Sequence, residues 1–204
     1  MSNFWDNRYK EEVYAYGTTP NRFFEQALSE LPQVGTVLLA AEGEGRNAVF
    51  AAQQGWTVSA FDMSVEGQKK AMKLAQDKGV VINYLVSTVK EIDLDRREFD
   101  TLGLIFAHFP EEYRRIYHRK LAKAIKKGGT LILEGFSKQH KAKQEKNPAV
   151  GGPGEVSMLF DLAELKEDFQ DFTFTLAEEQ VVTLQEGQFH LGEAAVIRLI
   201  GVKQ

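Results

Sequence analysis

The stretch from Val37 to Asp62 constrains this chain more than any other part of it. An apolar run, Val37-Leu38-Leu39-Ala40-Ala41, leads into Glu42-Gly43-Glu44-Gly45-Arg46-Asn47, then a helix-like run from Ala48 to Gln54, Gly55, and a second apolar run ending in Asp62. That order is a βαβ unit of the kind that binds a nucleoside. A parallel strand covered on both faces reads as a continuous apolar run, as Val37 to Ala41 does. Gly43 and Gly45 relieve the Cβ clash where the chain turns sharply and a ligand must approach the backbone. Asp62 follows the turn by roughly 20 residues, where a carboxylate can accept both hydroxyls of a ribose.

The turn also discriminates among nucleosides. A dinucleotide fingerprint, G-x-G-x-x-G, seats a pyrophosphate on the helix N-terminus. Here the third glycine position is Ala48, and the acidic pair Glu42 and Glu44 would repel phosphate. No Gly-Lys-Ser/Thr follows, so a P-loop is excluded. A cationic nucleoside without phosphates remains, and S-adenosylmethionine, with a sulfonium and an ammonium, is the common one.

Glu42-Gly43-Glu44-Gly45-Arg46-Asn47-Ala48, Asp62-Met63-Ser64 and Lys127-Gly128-Gly129-Thr130-Leu131-Ile132-Leu133-Glu134 resemble successive signatures of the class I S-adenosylmethionine-dependent methyltransferases. Phe4-Trp5-Asp6-Asn7-Arg8-Tyr9, Tyr16-Gly17-Thr18-Thr19-Pro20-Asn21, the Gly-Arg-Asn after the turn and a late histidine hairpin are similar to the tellurite-resistance and thiopurine-type small-molecule branch. The resemblance covers almost the whole chain and is not specific for substrate.

It implies an α/β, Rossmann-like fold: a seven-stranded mixed sheet with helices on both faces and a C-terminal antiparallel hairpin. S-adenosylmethionine is the implied cofactor, a small molecule the implied methyl acceptor. The cofactor-binding candidates are Glu42, Gly43, Glu44, Gly45, Arg46, Asp62, Met63, Thr88 and Phe106. Arg46 either binds the carboxylate end of the cofactor or pairs with Glu44, and Met63 lies against the adenine or in the core. The catalytic candidates are His108, as a general base or as the holder of a backbone carbonyl, and His190, where the tellurite-resistance branch carries a histidine near the substrate. Leu191 replaces the arginine expected beside it, which argues against tellurite as the substrate. Glu178 and Glu179 adjoin the same hairpin, but consecutive strand residues face opposite ways, so at most one reaches a shared pocket. The acid and glycine that normally end the first strand are Leu39 and Ala41 here, with Glu42 or Glu44 as replacement charges. That departure leaves an inactive cofactor-binding protein as the alternative, and a Rossmann NAD(P) oxidoreductase as a third reading.

Composition narrows the classes further. At 204 residues the chain is expected to form one domain, 1–204, with 1–31 as an N-terminal cap and helix. A net charge of -4 disfavours a dedicated nucleic-acid binder. Cysteine is absent and the four histidines show no zinc spacing, so no metal is expected. No apolar run approaches the roughly 20 residues that cross a bilayer, and a cytoplasmic location is the expectation; the oligomeric state is left open.

Helical spacing predicts a helix over Pro20 to Leu31, another from Ser64 to about Lys78 with Gly79 as its stop, and a third from Glu111 to Lys126. The third is read as amphipathic, with Tyr113, Ile116, Tyr117, Leu121 and Ile125 inward and Arg114, Arg115, Arg119 and Lys120 on a solvated face. Val80 to Val86, Glu98 to Ala107 and Thr130 to Glu134 read as strands, Asp161 to Asp168 as a short helix, and Phe172 to Leu184 with Phe189 to Val202 as a hairpin. The polar, glycine-rich connection 137–157 is too long for a plain loop in a compact fold and is read as a substrate lid.

Overall fold

A computed structural model describes residues 2–95 and 98–204. Its centre is a seven-stranded sheet with the order β3-β2-β1-β4-β5-β7-β6. The strands are β1 (Thr36–Ala40), β2 (Thr57–Asp62), β3 (Asn83–Val86), β4 (Phe99–Ile105), β5 (Ile125–Phe136), β6 (Phe172–Glu186) and β7 (His190–Lys203). The first five are parallel, whereas β7 runs antiparallel between β5 and β6. This is the mixed sheet and terminal hairpin that the resemblance implied.

Alternation along β1 explains why it is apolar throughout. Val37 and Leu39 face one cluster, shared with α2 (Arg22–Ser29), α3 (Arg46–Gln53) and α4 (Val65–Asp77); Leu38 and Ala40 face the other, shared with α5 (Glu111–Lys123) and α7 (Leu162–Asp168). Both faces are covered, so neither tolerates polar side chains. The order reverses at β1, between β2 and β4, and the crevice beyond the strand ends at such a point is where open α/β sheets bind ligands.

Local chemistry sets the helix boundaries. Asn21 caps α2 by accepting from the Phe24 N–H at 2.9 Å, and Ser64 caps α4 by accepting from the Gly67 N–H at 3.0 Å. Helix α1 (Ser2–Tyr9) packs against α4. Met1, part of the expected cap, lies outside the described residues.

The expected face of α5 is right only in part, with Leu121 buried and Tyr117 packed against the core. Its buried residues are Arg114, His118, Leu121 and Ala122, while Ile116 and Tyr113 are exposed. Arg114 is buried because its guanidinium donates to the Ser157 and Leu159 carbonyls and pairs with Glu164. Those partners lie 43 to 50 residues away in sequence, so periodicity within the helix cannot announce them.

The segment 137–157 is built of short turns of helix, including α6 (Lys141–Lys146), that lie against β7. His140 anchors it. The His140 ring is fully buried, stacks on Phe136 at 4.0 Å, accepts from the Ala195 N–H and donates through Nε2 to the Gly151 carbonyl at 3.0 Å. Among the described residues no helix is long and apolar enough to cross a membrane.

Candidate functional site

A cavity of about 920 Å³ opens over the crevice at the ends of β1 and β4. One wall is Ala41 to Glu44 with Asp62, Met63 and the loop after β3; the opposite wall is Phe106, Phe136, Phe189 and His190, with α6 and Gly151 to Gly154 above. Ala41 and Phe106 immediately follow β1 and β4 with φ of 54° and 53°, a left-handed conformation that non-glycine residues rarely adopt and that functional sites tend to retain.

The turn after β1 is held from several sides. The Tyr84 hydroxyl donates to the Gly43 carbonyl at 2.6 Å, and Asp62 accepts from the Gly43 N–H at 3.0 Å and the Ser64 N–H at 2.8 Å. Burial raises the Asp62 pKa, against those backbone donors. Each Asp62 oxygen takes one of these bonds and retains a lone pair, which suits a ribose diol. Met63 and Ser87 to Val89 continue the same wall.

Both glycines turn left-handed, at φ of 63° and 85°, as the sharp turn requires, and Gly43 lines the cavity. A Cβ on Gly43 would lie 2.7 Å from the Tyr9 hydroxyl, and one on Gly45 2.5 Å from the Ala71 Cβ. Gly45 is therefore a packing residue between α3 and α4 and is absent from the cavity wall. Its contribution to a ligand is indirect, through the placement of α3.

The acidic pair also departs from expectation. Glu44 forms an ion pair with Lys70 of α4 at 2.7 Å and accepts from the Ala15 N–H at 2.8 Å, so its charge is engaged by α4 and the N-terminal segment. Glu42 caps α3, accepting from the Asn47 N–H at 2.9 Å and the Ala48 N–H at 2.8 Å, a task Gly45 at the N-cap has no side chain to perform. Enclosure of its carboxyl pushes its pKa up to about 7, only partly opposed by these donors. The turn is thus far less anionic than its sequence. Leu39, 1% exposed, belongs to the core, whereas Ala41 lines the cavity.

Arg46 does not pair with Glu44. It meets Glu186 at 2.8 Å and donates to the Tyr16 carbonyl at 3.3 Å. Thr88 reaches the cavity wall, but its hydroxyl donates to Glu91 at 2.9 Å and serves the local turn. Glu178 and Glu179 are exposed and lie off the cavity wall.

The two histidine candidates differ in what their ring nitrogens do. His108 donates through Nδ1 to the Met158 carbonyl at 2.9 Å and accepts at Nε2 from the Phe136 N–H at 3.0 Å. Burial pushes its pKa down to about 3. With both nitrogens occupied it has no lone pair for a substrate proton, and the carbonyl-holding alternative fits this geometry. His190 donates through Nδ1 to Glu186 at 2.9 Å, while its Nε2 has no protein partner among the described residues. Its ring lies 4.5 Å from Tyr16 and 4.6 Å from Phe106.

Glu186, Asn21 and Glu134 escaped the sequence reading. Asn21 donates to Glu134 at 2.7 Å and to Glu186 at 3.0 Å, and Glu134 in turn pairs with Arg198. The only hint was the spacing of Glu186 and His190 across a tight glycine turn. That turn fits closely: a Cβ on Gly187 would strike the Ala15 carbonyl, which accepts from the Gln188 N–H at 2.8 Å. Arg8 stacks on Phe189 at 3.7 Å beside the cavity and has no carboxylate partner among the described residues.

Comparison with known proteins agrees with this architecture. Residues 37–129 match the family described as a methyltransferase domain. The ubiquinone biosynthesis O-methyltransferase of Rickettsia conorii is 29% identical over 119 residues, 58% of this chain and 40% of that protein, so the chain spans well under half of that relative's length. A structure solved in work on the conversion of a disulfide bond into a thioacetal group during echinomycin biosynthesis superposes with a TM-score of 0.80 at 17% identity, covering 100% of this chain and 92% of that one. TehB from Haemophilus influenzae gives 0.70 at 15% identity, with 100% and 67% covered. At such identities the two superpositions speak for the fold alone. With its matched domain and its sheet order, the chain has the Rossmann-like fold of the methyltransferases to which it is similar.

Proposed function

We propose that this chain transfers a methyl group from S-adenosylmethionine to a small-molecule acceptor. The observation that carries the reading is one continuous cavity with a nucleoside-type wall at Asp62 and Met63 and an aromatic wall at Phe106, Phe136 and His190. On this reading Asp62 holds the ribose, Ser87 to Val89 border the adenine, and Arg8 or Arg46 faces the carboxylate end. The bound cofactor supplies a methyl on a sulfonium, an electrophile with a good leaving group. The protein's part is to align the acceptor and exclude water. The aromatic wall favours a flat, largely apolar acceptor. Segment 137–157 acts as the lid, with Gln144 and Gly152 over the cavity. His108 holds the Met158 carbonyl immediately after the lid, and His190 is the group on the acceptor side.

Calorimetric titration of S-adenosylmethionine and S-adenosylhomocysteine into the protein tests the cofactor half. Micromolar affinity, on the order of -8 kcal/mol, and at least a tenfold loss in Asp62→Ala are expected. Absence of binding by either would overturn the reading. Binding without turnover across a broad acceptor screen would favour the inactive cofactor-binding alternative, which Leu39 in place of the usual acid motivates.

A further inference from the structure

We infer that Glu186 is a positioning residue for catalysis: it fixes His190 as the Nδ1–H tautomer and leaves the Nε2 lone pair to take the proton of an acceptor that carries one. The inference rests on the proposed methyl transfer. Its geometry stands apart from it. Glu186 Oε2 accepts from His190 Nδ1 at 2.9 Å and from Arg46 at 2.8 Å, while Oε1 accepts from Asn21 at 3.0 Å. Three donors on one enclosed carboxylate fix its orientation, and a carboxylate can only accept, so the His190 proton must sit on Nδ1. The ring is confined as well. Tyr16 and Phe106 lie against it, and a Cβ on Gly151 would come within 2.9 Å of its Cδ2.

Electrostatics agree with this assignment. Burial alone would raise Glu186, but His190 and Arg46 override it and hold the carboxyl down to about 2. Burial lowers His190, against the pull of Glu186, and Arg46 and Arg8 add positive charge on the same side, with the neutral His140 ring and the Tyr16 phenol nearby. A neutral imidazole donating to an ionised carboxylate is the resulting state. In the reaction, an O–H, N–H or S–H proton of the acceptor moves to His190 Nε2, and the freed electron pair forms the bond to the methyl carbon. The carbon–sulfur bond breaks with its electrons left on sulfur, giving a neutral thioether, and the imidazolium, paired with Glu186, later returns its proton to water.

Long-range ¹H–¹⁵N correlation spectra of the histidine rings, taken on the full chain with S-adenosylhomocysteine over the acid-to-neutral range, read the tautomer without turnover. His190, assigned by its loss in His190→Asn, is expected as Nδ1–H at neutral pH. In Glu186→Gln it should become a mixture of tautomers, while His108, held by Met158 and Phe136, stays unchanged and reports an intact fold. An Nε2–H tautomer in the wild type, or an unaltered His190 in Glu186→Gln, overturns the inference. In turnover, Glu186→Gln should lower kcat by about 10²-fold and displace the acid limb of the pH profile, with KM for S-adenosylmethionine within about twofold of wild type. A wild-type kcat and pH profile in that variant also overturns it. Failure of the wild type to turn over any acceptor would instead strike the proposed function, with the tautomer still deciding the role of Glu186.

Discussion

The Tyr84 hydroxyl meets the Gly43 carbonyl at 2.6 Å, so a strand at the sheet edge holds the turn at its centre. This bond spans 41 residues of sequence and fixes the peptide that precedes Glu44. Tyr84→Phe should lose about 1 kcal/mol of stability by urea denaturation. It should also weaken S-adenosylhomocysteine binding several-fold in calorimetry. Unchanged affinity with lowered stability would show that the turn keeps its shape without Tyr84.

Glu42 gives the protein a pH dependence of unusual sign for a carboxylate. Its folded pKa, about 7, lies above the ordinary value, so the stability it contributes is fully present below about pH 4.3 and is lost as pH rises through about 7. Glu42→Gln retains an acceptor for the Ala48 N–H and cannot ionise. The variant should gain on the order of 3 kcal/mol relative to wild type between about pH 4.5 and about pH 8. Urea midpoints across that range provide the check, and parallel curves for the two proteins would contradict the assignment.

His108 works in the opposite direction. With a folded pKa near 3, it stabilises the fold above about pH 6.5 and loses that contribution as pH falls toward 3, in total on the order of 4 kcal/mol. His108→Asn should be less stable at neutral pH because the Phe136 N–H or the Met158 carbonyl loses its partner. Its stability should nonetheless fall less steeply on acidification. A slope as steep as the wild type's would assign the acid sensitivity to the other buried histidines.

Arg114 is predicted to behave as a buried anchor. Truncation in Arg114→Ala leaves the Ser157 and Leu159 carbonyls and Glu164 without their donor, which costs about 3 kcal/mol. Amide exchange should accelerate first in residues 156–159, which border the cavity through Met158. Uniform acceleration across the sheet would mean that α5, and not the segment beneath it, had been loosened.

What the sequence revealed follows from the range of the interactions involved. β1, the turn and β2 were legible because burial on both faces makes an apolar run, and a left-handed turn selects glycine, both local rules. The α5 face was misread in part because Arg114 and His118 are buried through partners on another element: His118 is fully enclosed and donates through Nδ1 to Asp168 at 2.8 Å. The acidic turn was read with its formal charge, which Lys70 and burial largely remove. His190 was visible only through family likeness. The network around it was not, since Arg46 and Glu186 are 140 positions apart and Asn21 and Glu186 are 165 apart.

The fit of Gly187 against Ala15 and Tyr16 bears on when the cavity can exist. Its walls meet where the late hairpin touches the early chain, so the contact closes a loop of more than 160 residues and belongs among the slow, non-local steps of folding. A nascent chain can pair β1 with β2 and β4 long before β6 and β7 have emerged, yet it lacks Glu186 and His190 until then. The wall at Asp62 and Met63 therefore has an earlier origin in time than the wall at His190, and the emergence of the hairpin is the event that completes the enclosure of the cavity.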